Sequence, residues 1–188
     1  MTEILEGLNV FRALEAWGAV LYARWAEHET DPQLRAGHLI IAEREANHAR
    51  LLTERIRALG GEPGPACVDD VLAAQLAELA GVRGIVAQLD ALKVVNARDA
   101  TRLEPCQTAL RRGYDTAKAS DPATSQFLAQ LFSEEKVSRG WYREMYSQRS
   151  GKRARTEALP ILDPEQVCRR AESVTFTAGE PAACLAAS

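Results

Sequence analysis

"AEREANHARLLTERIRALGG", residues 42–61, sets Glu45 and His48 on a stretch whose other inward positions are apolar: Leu34, Ile41, Leu52, Ile56 and Leu59. Residues three apart on an α-helix point about 60° from each other and sit a shallow step along the axis, so one ion can meet both. An isolated carboxylate is expensive to bury, and an inward Glu needs partners or a cation. The pair therefore directs attention to the other helices that face it.

Outward from this stretch the helical period dominates. Asp31-Pro32 reads as an N-cap followed by proline at the first helical position, and Gly60-Gly61 as a left-handed exit, so the second helix spans about 32–59. The first helix is expected over Thr2 to His28, with Ile4, Leu8, Phe11, Glu15, Gly18, Tyr22 and Trp25 on one stripe. "GEPGPACVDD" (61–70) is a crossover connection, partly covered by a short amphipathic piece over Val71–Ala80. A third long helix is expected from about Arg83 to Ala117, kinked or broken at Pro105. A fourth follows Asp121-Pro122, with Leu128, Leu131, Glu135, Ser138, Tyr142 and Met145 on one face. The pattern dissolves near Gln148, giving a helical domain over 1–147 and a linker and irregular tail over 148–188, with one helical turn at Pro164–Ala171.

The chain has 188 residues, 46% of them hydrophobic and 26% charged, enough for one domain with a core. A formal charge of −3 gives no reason to expect nucleic acid. No apolar run reaches the ~18 residues that span a bilayer, and the acidic, amphipathic N-terminus is unlike a signal peptide. Cys67, Cys106, Cys168 and Cys184 form no C-x-x-C, which excludes a zinc ribbon or rubredoxin-type iron site. Their scatter gives no disulfide framework and fits a reducing cytoplasm.

An internal repeat is measurable. Asp31-Pro32 precedes Glu45 by fourteen residues, and Asp121-Pro122 precedes Glu135 by the same fourteen. Glu15 precedes Tyr22 by seven, as Gln107 precedes Tyr114. Two helical hairpins joined by a crossover make a four-helix bundle. Inward Glu15, Glu45 and Glu135 come from three helices, and no Lys or Arg occupies their stripes. A divalent ion would neutralise them, and a carboxylate and imidazole set suits iron, manganese or zinc.

On Glu15 with Tyr22, "EREANHARLL" and "SEEKVSRGWY", the chain resembles the ferritin-like superfamily, in the rubrerythrin and bacterioferritin style, over residues 4–146. The resemblance implies an all-α carboxylate bundle with Glu45 and Glu135 as bridging carboxylates, and Glu15 and His48 completing one metal position. It would put His where Ser138 stands and Glu where Gln107 stands, so the second position is degenerate. Glu104 turns inward instead if Pro105 shifts the register, and Asp99 is a further candidate.

Two functions are open. One is a non-haem iron redox protein using dioxygen or peroxide, mono- or dinuclear, its electrons supplied from outside. The other is a non-catalytic binding or assembly module whose C-terminal tail docks to a protein partner. A homodimer is expected in either case. Glu15 on a rotated stripe would be solvated, and Glu45 with His48 could pair without metal. His38 reads as a core or rim histidine, Tyr22 and Tyr114 as core fillers, and Trp17, Trp25 and Trp141 as packing or interface residues. Arg149, Lys152, Arg153 and Arg155 read as a solvated linker.

Overall fold

Helices account for nearly all of residues 1–151, the part of the chain described by the computed structural model. They are α1 (Thr2–His28), α2 (Pro32–Ala58), α3 (Asp69–Leu79), α4 (Ile85–Ser120) and α5 (Pro122–Ser150). The expected turn at 164–171 and the basic residues Lys152, Arg153 and Arg155 lie outside the described residues. No strand occurs among the described residues, and no helix there is long and apolar enough to cross a membrane.

The starts and stops follow local chemistry. Asp31 accepts hydrogen bonds from the amides of Gln33 (2.9 Å) and Leu34 (3.3 Å), and Pro32 opens α2. Asp121 does the same for α5, accepting from the Thr124 amide at 3.1 Å ahead of Pro122. At the end of α2, Gly60 takes φ +76°. Its amide reaches Arg57 O, and the Gly61 amide reaches Ile56 O at 3.0 Å, the paired closure of a Schellman turn. Arg149 is more than a solvated linker residue: its guanidinium pairs with Asp31 and ties the end of α5 to the start of α2.

One core joins the four long helices. α1 packs against α2 and α4, and α5 against α4 and α2, while α3 lies on α1 and α4. The crossover is pinned to α1 by Asn9 Nδ2 and Arg12 Nη2, which donate to Gly64 O at 2.8 and 2.7 Å. Trp25 Nε1 donates to Leu79 O at 2.9 Å and holds the end of α3. Where α1 crosses α4 the backbones touch. A Cβ on Gly113 would lie 2.7 Å from Glu3 O and 2.9 Å from Gly7 Cα, so only glycine fits.

Of the kink or break expected at Pro105, the break does not occur: α4 runs unbroken from Ile85 to Ser120, with Pro105 exposed. Nor are all the cysteines unpaired. Cys67 in the crossover and Cys106 on α4, 6.0 Å apart at Cα, form a disulfide. Their separation of 39 residues hides this in the sequence. The bond weakens the reading of the cysteine scatter as a cytoplasmic mark, because disulfides persist in oxidising surroundings.

Candidate metal centre

Helical phase brings the acids together. Glu15 on α1, Glu45 and His48 on α2, and Glu135 on α5 all turn toward the interior. Glu15 and Glu45 are 3% and 6% exposed and His48 is fully buried, so none is a solvated surface residue. Room for the Glu45 carboxylate comes from Gly18, where a Cβ would stand 2.9 Å from Glu45 Oε2.

His48 is the hub. Its Nδ1 lies 3.0 Å from Glu15 Oε2 and 3.5 Å from Glu135 Oε1. Its Nε2 lies 2.8 Å from Oε2 of Glu134, a residue the sequence reading passed over. Glu134 is 40% exposed and also accepts from Gln130 at its other oxygen. The signal for it was present in the Glu134-Glu135 doublet, since an imidazole has a second nitrogen to satisfy.

Glu15, His48 and Glu135 each offer one ligand atom, and these atoms all lie within 4.8 Å of one another, so the group could hold a metal ion. Atoms bound to one ion at about 2.1 Å sit about 3.0–3.5 Å apart, which matches the separations at Nδ1. Glu135 Oε1 is also buried without a well-formed hydrogen bond, an orphan a cation would satisfy. An Nε2–H donated to Glu134 would leave the Nδ1 lone pair facing the acids, as in carboxylate–histidine–metal arrangements. Glu45 lies beside Glu15, close enough for each carboxyl to shift the other's protonation.

The electrostatics record the same crowding. Burial raises Glu15 well above the ordinary carboxylate range, and the charge of Glu135 adds to it. Burial likewise raises Glu45, with Glu15 and Glu135 contributing. Burial alone would lower the His48 imidazolium, but its interactions with Glu135 and Glu134 outweigh that and raise it. Glu134 moves down: burial works against this, and the bond to His48 prevails. Without a cation Glu15, Glu45 and His48 therefore keep protons that they would lose in water.

The remaining candidates go elsewhere. Ser138 is buried and accepts from Arg44 Nη1 at 2.7 Å, and the same Nη1 donates to Glu134 O at 3.3 Å. A guanidinium thus occupies the face where the resemblance would put a His ligand. Arg139 on α5, one turn beyond Glu135, is buried too. Asp99 is buried but takes bonds from Gln75 (3.0 Å) and Arg98 (2.9 Å), away from the acids. Glu104 is exposed, and Gln107 is half-buried. Above the cluster, Tyr22, Tyr142, Trp25, Trp141 and His38 form one aromatic group.

Compared with protein-family models, curated proteins and solved structures, the chain finds no match.

Proposed function

We propose that the chain is a ferritin-like carboxylate bundle that binds one divalent transition-metal ion, iron before manganese or zinc, and uses it in redox chemistry with dioxygen or peroxide. The observation that carries this reading is the convergence of Glu15, His48 and Glu135 from three helices on one small volume. Glu15, Glu135 and His48 Nδ1 would hold the ion, Glu45 would be the neighbouring carboxylate, and Glu134 would fix the ring. Iron at this place would supply the one-electron steps that carboxyl and imidazole groups lack. Arg44 at Ser138 supplies positive charge where a second ion would sit, which favours one metal per chain.

A second reading has a specific observation behind it. Both nitrogens of His48 already meet carboxylates, so a protonated ring can compensate the acids without metal, as in a non-catalytic binding module. Elemental analysis of the purified chain separates the two. The metal reading expects about one equivalent per chain, lost in a folded Glu15→Gln, His48→Gln double variant. It also expects iron-dependent consumption of dioxygen or peroxide that disappears in Glu45→Ala. Metal-free protein whose melting temperature ignores added iron would favour the second. A homodimer, and a protein partner for the C-terminal tail, belong to this proposal as well. Light scattering tests the first and co-purification with and without residues 152–188 the second.

A further inference from the structure

The aromatic group beside the acids contains a pair that packing alone does not explain. Tyr142, 2% exposed, places its hydroxyl 3.0 Å from Nδ1 of His38, which is fully buried. His38 Nε2 and Gln88 Oε1 are both buried and lack a well-formed hydrogen bond. Burial lowers the His38 imidazolium to about 4, opposed by Glu29 and by the nearby Gln88 amide. The ring is therefore neutral near pH 7 and free to accept a proton. Gln88 in turn donates its Nε2 to Val82 O at 3.2 Å, which leaves Oε1 as the end of the amide still available.

Rings connect this pair in two directions. Trp141 stacks edge-on against Tyr142 at 5.0 Å and against His38 at 5.8 Å, and it is half-buried over Gly37. On the inner side Tyr22 lies 5.3 Å from Tyr142, and its ring reaches Gly18, the residue that makes room for Glu45.

We propose that Tyr142 is a proton-coupled one-electron redox residue, with His38 as its proton acceptor and Trp141 as its outlet to the surface. A high-potential one-electron oxidant removes one electron from the Tyr142 ring, by way of Trp141. The hydroxyl O–H bond breaks, and its proton forms an N–H bond at His38 Nδ1. The products are a neutral tyrosyl radical and a His38 imidazolium. A one-electron reductant returns the electron, and the proton goes back to the oxygen. Removing the electron alone would leave a phenol radical cation, an acid far stronger than an imidazolium, so the proton crosses to His38 even though burial disfavours the charge there. The inference stands on the aromatic group alone and needs no metal among the acids.

Flash oxidation of the full chain with photogenerated ruthenium(III) tris-bipyridine tests it, in a chelator-treated Tyr146→Phe background that removes the half-buried Tyr146. Electron paramagnetic resonance is expected to find a tyrosyl radical that Tyr142→Phe abolishes. His38→Gln should cut the yield at least about tenfold, the loss of roughly 1.4 kcal/mol or more of driving force. Trp141→Phe should slow its appearance. If either variant misfolds, pulsed resonance on the unsubstituted chain carrying 15N-histidine decides the matter, since the radical must couple to one imidazole nitrogen. A radical on Tyr22 or Tyr114, a yield indifferent to His38→Gln in folded protein, or no histidine coupling would overturn the proposal. None of these outcomes depends on whether the acids bind metal.

Discussion

His48 Nε2 stands 2.8 Å from Glu134 Oε2, so one ring nitrogen is held by a part-exposed carboxylate while the other faces buried acids. The bond fixes the ring without drawing Glu134 into the interior. Replacing Glu134 with Ala is expected to weaken metal binding about 10- to 100-fold and leave the helical content unchanged. Competition against a coloured chelator measures the first and circular dichroism the second.

Metal-free stability should fall as the solution is made more alkaline above pH 6.5. Glu15, Glu45 and His48 all have folded pKa values above their ordinary ones, so the native state holds protons the unfolded chain has released. Stability decreases with pH wherever the native state binds more protons. His38 acts oppositely, but only between about 4 and 6.5, where the unfolded chain takes up the proton first. Urea melts in chelator from pH 6.5 to 8.5 should show the decline. Added metal should stabilise increasingly over the same range, because it replaces those protons.

Two glycine substitutions should behave differently. Gly113→Ala drives a methyl into the backbone of Glu3 and Gly7, which cannot move aside, and should cost about 1–3 kcal/mol. Gly18→Ala meets the Glu45 carboxylate, the end of a side chain, at 2.9 Å. That group can rotate, so the expected loss is metal affinity more than stability. Denaturation and metal titration of both variants give the comparison.

Peptide mapping of the native chain under non-reducing conditions should recover the Cys67 and Cys106 peptides linked. For a separation of 39 residues, loop closure predicts that Cys67→Ser with Cys106→Ser lowers stability by about 4 kcal/mol. Urea unfolding of the double variant checks the magnitude.

What the sequence made legible was whatever local chemistry or period encodes. Asp31-Pro32 and Asp121-Pro122 mark the starts of α2 and α5, and the stripes carrying Glu15, Glu45, His48 and Glu135 lead to one interior. What escaped depends on reach between helices. Arg44 looks like an ordinary residue of α2, yet its long side chain crosses to Ser138. Asp99 shares an inward face, but Gln75 on α3 claims it, and nothing in α4 announces that partner. Pro105 looks like a break, yet on the exposed side the lost backbone bond does not end the helix. Cys67 and Cys106 meet because the crossover is tied down on α1, a consequence of tertiary docking.

The bare contact between Gly7 and Gly113 acts as a detent against lengthwise slippage. Sliding α1 by one turn, about 5.4 Å, would seat Glu3 or Phe11 on a backbone with no hollow to receive it. The same slide would carry Glu15 well beyond its 3.0 Å approach to His48. A notch near one end of the rod thus gauges the alignment of the acids farther along it.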